Sequence, residues 1–232
     1  HFPAIVEGQP ETVAHHYAEA GLPDAAVYWL RAGELAAGRY AHLEAVAHLR
    51  RGLGMLGDIA DEAKRDRFEI DLQAALGVSL LATEGFAAPE TGEAYSRAEQ
   101  LCEGSGETSR LYAIRQGLFN HHLVRGDVEL ARQLGERSLA AAEDEGDPEH
   151  LLAAHHALVG TYLLGTFEKA HHHFEQAWRI GEQMPLRSLT SLIGADLRVF
   201  MRAYGCHALW HLGFPNQATR MAEEALSISR TA

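Results

Sequence analysis

Residues 158–177 read LVGTYLLGTFEKAHHHFEQA. An apolar run closes at Leu164, glycine follows at Gly165, and five residues later Ala170 opens a second run. Glycine is suited to the left-handed conformation that ends a helix, and a small residue early in the next helix lets the two axes approach closely. The same pairing recurs as Gly21 with Ala26, Gly126 with Ala131 and Gly213 with Ala218, and Ala177 and Ala225 stand twelve residues after Gly165 and Gly213. Four aligned pairs make an internal repeat of helix-turn-helix units. One such pair cannot bury its apolar face alone, so neighbours must stack on a continuous core.

The rest of the chain agrees. Apolar residues recur at three- and four-residue steps, as in Leu130, Ala131, Leu134 and Leu139, or Ala218, Met221, Ala222, Ala225 and Leu226, which is amphipathic helix. Period-two runs of Val, Ile and Thr are missing, so strands are not expected. Short breakers punctuate the helices: GLPD at 21–24, GFAAPE at 85–90, GSGE at 104–107, EGDPE at 145–149 and GFPN at 213–216. Roughly eleven helices follow, over 10–20, 24–37, 41–56, 61–82, 89–103, 108–123, 128–144, 148–163, 168–183, 189–212 and 215–229. The stretch 181–212 is the least regular, with a kink near Pro185 or an extra helix expected there. Glycine spacings of 39 residues (126 to 165) and 48 (165 to 213) exceed the roughly 34 residues of a tetratricopeptide unit but belong to the same kind of repeat. The fold expected is all-α, a tetratricopeptide-like right-handed superhelix forming one domain over 1–232.

Composition narrows the function classes. Of 232 residues, 47% are hydrophobic and 22% charged, as in a folded globular chain. The net charge of −12 argues against coating nucleic acid or anionic lipid, which needs clustered cations. Cys102 and Cys206 are far apart and outside any CxxC spacing, so neither a disulfide framework nor a cysteine zinc site is indicated. No apolar run approaches the roughly 20 residues of a membrane helix. A soluble, cytoplasmic location is expected, and the start at His1 suggests a piece of a longer polypeptide.

The segments PETVAHHYAEAGLPDAAVYWLRAGELA (10–36), AVAHLRRGLGML (45–56), GFAAPETGEAYSRAEQLCE (85–103), LVRGDVELARQLGERSLAAAE (123–143) and residues 158–177 resemble the C-terminal tetratricopeptide-like region of large bacterial signalling ATPases. In that family an adenylate or guanylate cyclase-like or regulatory segment precedes an AAA-type ATPase and then the helical array. Large LuxR-type transcriptional regulators, including a sugar-sensing activator, share a related layout. The resemblance implies a non-catalytic regulatory module that binds a protein partner or its own upstream domains. The alternative it implies is a small-molecule sensor whose array gates the upstream ATPase or cyclase. This chain has no GxxxxGK loop, so any catalysis by the parent lies outside these residues and no cofactor is expected.

Gly52, Gly54 and Gly57 spell GLGMLG, formally a dinucleotide fingerprint. That chemistry requires a preceding strand, whereas this run closes AVAHLRR and reads as a helix end. Fifteen histidines cluster at 15–16, 121–122, 155–156 and 171–173. Adjacent helical residues point about 100° apart and cannot both ligate one metal. His207 and His211, at i and i+4, share a face but lack the glutamate of HExxH and an assignable third ligand, so no metal is assigned. Protonating fifteen imidazoles would more than cancel the formal charge of −12, which makes pH-dependent association a possibility to test. Glu143, Asp144 and Glu145 read as solvated surface, and no nucleophile elbow is present.

Mapping the glycine register onto the first helix of each pair places nine residues toward a concave, partner- or ligand-binding side: His15 and Glu19, Gln116 and Asn120, His155 and Tyr162, and His207, Trp210 and His211. Polar and aromatic groups of this kind suit a groove for a peptide, partner helix or small ligand. Tyr162 and Trp210 also fit core positions.

Overall fold

The computed structural model describes residues 8–105, 108–184 and 197–230. Among them are eleven α-helices and no strand. The chain divides into two compact units, residues 1–126 and 127–232.

Unit 1 holds α1 (Pro10–Glu19), α2 (Ala25–Gly38), α3 (His42–Gly54), α4 (Glu62–Glu84), α5 (Pro89–Ser105) and α6 (Thr108–Arg125), with a 3₁₀ turn at Leu56–Asp58. Unit 2 holds α7 (Val128–Glu145), α8 (Pro148–Tyr162), α9 (Phe167–Gly181), α10 (Leu197–His211) and α11 (Pro215–Ser229). Within each unit every helix packs on its neighbour in sequence, and α2 on α4, α4 on α6 and α8 on α10 also meet. This is the stacking of helix pairs that the repeat demanded. The GLGMLG glycines sit where the sequence placed them, with α3 closing at Gly54. The expected kink near Pro185 and the helix start at 189 lie outside the described residues.

Local chemistry sets the helix ends. The Asp61 carboxylate accepts from the Lys64 amide at 3.1 Å at the start of α4. At the start of α8 the Asp147 carboxylate accepts from the amides of Glu149 (2.7 Å) and His150 (3.2 Å), satisfying donors that the first turn leaves open. The repeat register is physical: Gly21, Gly126 and Gly213 take φ 64°, 84° and 86°, while Gly165, at φ 158°, is nearly extended, and Ala26, Ala131, Ala170 and Ala218 are each at most 4% exposed. A fifth member lacks glycine. Tyr40 takes φ 62°, its amide and that of Ala41 close back on Ala37 and Ala36, and Ala45, five residues on, is fully buried.

Unit 1 is filled by aliphatic side chains, among them Leu30, Leu49, Leu72, Leu76 and Leu80. Tyr95 of α5 inserts between α4 and α6, where a β-carbon at Gly77 or Gly117 would fall within 2.7 Å of its ring. In unit 2, Leu158 closes on Gly135 and Phe174 on Gly205 in the same manner. Two stripe residues face outward instead: Leu130 and Leu226 are exposed, because the buried line of α7 runs through Ala131, Leu134, Gly135 and Ala142 and that of α11 through Ala218 and Ala225.

Candidate functional site

In unit 2 the residues of interest form a chain of polar contacts across three helices. Arg132 of α7 ion-pairs with Glu129 and Glu136, one turn to either side. The Glu136 carboxylate accepts the Tyr162 hydroxyl of α8 at 3.0 Å. The Tyr162 ring stacks on His173 of α9, centroids 5.4 Å apart and nearly parallel, while Lys169 lies over its ring at 5.1 Å. His173 meets His155 of α8 with Nδ1 atoms 2.9 Å apart. The ring centroids are 5.2 Å apart, so the two nitrogens face each other head-on. One Nδ1–H must donate to the other Nδ1 lone pair, and two fully charged imidazoles could not make that bond.

Burial, with the neighbouring His173 and His172, lowers His155 to about 4. Burial also lowers His173 to about 4, with His172 and Lys169 acting in the same direction and Glu136 opposing. On the other side of α8, His156 packs on Tyr204 of α10 at 5.5 Å. Among the described residues neither of its buried ring nitrogens has a hydrogen-bond partner, and burial brings it to about 4. At neutral pH all three imidazoles are therefore uncharged.

The nine residues read from the register behave differently. His155 and Tyr162 come together through His173, and Tyr162, 8% exposed, belongs to a core cluster. His207 and His211 lie 4.7 Å apart, with His211 stacked on Phe167 at 4.2 Å. Trp210 is not core: it is 61% exposed. In unit 1, His15 and Glu19 stand exposed on α1, and Gln116 and Asn120 are half-buried on α6. α1 packs on α2, and α6 on α5 and α4. His15 joins a cluster the register did not anticipate, edge-on to Trp29 at 4.8 Å, with Arg51 over the indole at 5.0 Å and His48 stacked on it at 5.3 Å.

Sequence mapping missed His173, Glu136 and Arg132 because it followed the first helix of each pair, and these lie on the helices packed against it. The HisHisHis run was a compositional signal, but only the register eight residues after Gly165 could have singled out its third member. Among the described residues, no three His, Cys, Asp or Glu side chains converge as a metal would require, and no helix is long and apolar enough to cross a membrane.

Comparison with protein-family models finds no match, and comparison with curated proteins finds none. Solved structures do match. A protein of nearly identical TPR-like repeats from Podosopora anserina, named for kinesin light chain, superposes with a TM-score of 0.69 at 17% identity, covering 90% of this chain and 96% of that one. The fold is that of a tetratricopeptide-like helical repeat. The Rap conjugation gene regulator of plasmid pLS20, in complex with a Phr peptide, superposes with a TM-score of 0.60 at 16% identity over 88% of this chain. The tetratricopeptide-like chain spans 53% of that regulator's length.

Proposed function

We propose that this chain is a non-catalytic regulatory module that binds a polypeptide partner. The observation that carries the reading is the repeat fold itself, matched over nearly its whole length by TPR-like repeats and by a regulator that holds a peptide. Supporting it, unit 2 presents an exposed aromatic and imidazole group, Trp210 with His207 and His211, of the composition that anchors protein contacts. The chain of polar contacts from Arg132 to His155 ties α7, α8 and α9 of the same unit to one another. The parent is a bacterial signalling or transcription-regulating ATPase, and the partner is its own upstream domains or a second cytoplasmic protein; the resemblance set out above supports this.

The test is binding of the purified chain to the upstream domains of its parent, measured by calorimetry with Trp210→Ala and His207→Ala variants. We expect Trp210→Ala to weaken binding about tenfold or more, and binding unaffected by either variant would sink the assignment of this surface. A thermal-shift scan against nucleotides, sugars and metabolites separates the alternative. A ligand at about 100 times its Kd adds roughly 2.7 kcal/mol, a rise of several degrees, and a saturable shift with one compound class would make the chain a small-molecule sensor.

A further inference from the structure

We propose that the groove between α9, α10 and α11 of unit 2 receives an uncharged aliphatic or aromatic side chain of a partner polypeptide. This rests on the partner-binding reading above and assigns it a specific subsite, separate from the polar chain around His155. The groove encloses about 330 Å³, within the range of small-ligand and side-chain pockets.

The groove exists because Gly205 brings α10 close to both neighbours. A β-carbon there would lie 2.6 Å from Phe174 of α9 and 2.7 Å from the Met221 sulfur of α11, so those two side chains meet over bare backbone. With Trp178 and Leu209 they give the groove its apolar lining. Leu209 and Phe174 are buried, while Trp178 and Met221 remain partly open. Open apolar surface in a concavity gains most from an apolar occupant.

The charges on the walls select against an ion. Glu175 faces Arg179 at 3.8 Å and His171 at 3.6 Å, and Glu224 accepts from Arg202 Nε at 3.3 Å. Two carboxylates and two guanidiniums thus balance, and a charged side chain entering would lose hydration with no unpaired opposite charge to meet. The hydrogen-bonding groups left over suit a neutral peptide. Arg202 lies over Trp178, 4.1 Å from its centroid, and its side chain is only 13% exposed. It spends Nε on Glu224 and Nη1 on the Arg198 carbonyl, leaving Nη2 without a hydrogen bond among the described residues. A pre-positioned N–H beside an apolar pocket matches a backbone carbonyl next to an apolar side chain. Gln217 at the rim is exposed and carries both donor and acceptor.

The experiment follows the Trp178 indole N–H resonance of the whole 232-residue chain, assigned with Trp178→Phe, during titration with capped amino acids. The probes are N-acetyl methylamides of leucine, phenylalanine, alanine, glutamate and lysine. Leucine and phenylalanine are expected to shift the resonance saturably with affinity about tenfold or more above alanine, and glutamate and lysine are expected to do no better than alanine. Gln217→Trp, an exposed change that caps the mouth, should abolish the response at an unchanged melting temperature. Equal responses to all probes, preference for a charged probe, or full binding by Gln217→Trp would each overturn the groove assignment. Upstream-domain binding that Gln217→Trp leaves untouched overturns the groove and leaves the module reading standing, whereas loss of that binding in the same variant supports both.

Discussion

The two units use the same helical repeat but fasten it differently. In unit 1, helices are tied by guanidinium and carboxylate groups: Arg50 to Glu90 (2.6 Å), Arg97 to Glu69 (2.6 Å), and Arg115 to Glu99 and Glu103 (3.0 and 2.9 Å). Its buried His121 has a partner, with Nδ1 2.7 Å from the Phe86 carbonyl. In unit 2, imidazoles occupy the joints, with His155 and His173 bonded to each other and His156 buried against Tyr204 without a hydrogen bond among the described residues. Guanidinium–carboxylate pairs keep their charges over a wide pH range; the exposed Arg50–Glu90 pair contributes little, whereas Arg115 and Glu99, 11% and 14% exposed, are largely shielded from solvent. Buried imidazoles must shed their charge to fold, so their contribution depends on pH near neutrality.

The largest effect should come from the core that both units share in kind. Leu72→Ala removes a fully buried side chain of unit 1 and should cost about 2–5 kcal/mol. Urea unfolding would report it, and a loss below about 1 kcal/mol would show that unit 1 is not held by its aliphatic interior.

Acid should separate the units next. The folded pKa of His155, His156 and His173 is about 4 against 6.5 for the free group, so the folded state binds fewer protons. Stability from these groups is complete above about pH 7 and falls as pH drops from about 6.5 toward 4. For His156 the shift corresponds to about 3 kcal/mol; His173, only half-buried, contributes less. Hydrogen exchange at pH 7 and pH 5 should show unit 2 losing protection first, and equal loss in both units would break the contrast.

His156→Phe sharpens the same point. It replaces a buried ring lacking hydrogen bonds with an apolar one of similar shape, and should stabilise the chain by about 1–2 kcal/mol at pH 7 while flattening the acid limb. Destabilisation at neutral pH would mean that the imidazole has a partner that matters. In unit 1, Tyr40→Gly should add about 1 kcal/mol by relieving a side chain at φ 62°, read as a rise in melting temperature. Smallest, Tyr162→Phe removes the hydroxyl that Glu136 accepts and should cost about 0.5–1.5 kcal/mol.

Nearly all of the helix pattern was legible in the chain. Turn glycines, small residues five positions on and apolar three- and four-residue steps are local features, and each acts through its own few neighbours. The reading failed at Tyr40, because a left-handed turn without glycine carries no local signature, and at Leu130 and Leu226, because an apolar residue at the edge of a stripe is buried only if a neighbour reaches it. The candidate site was half legible. His155 and Tyr162 followed from the register, but their partners His173 and Glu136 sit 18 and 26 residues away in sequence, and nothing in the intervening residues states which face of one helix meets which face of the next. The same holds for Trp210, whose spacing fits a core position and which stands in solvent. Periodicity is a property of one helix and is written in the chain; partnership between side chains depends on the rotation and offset of packed helices, which glycines such as Gly205 set only once Phe174 and Met221 have closed on them.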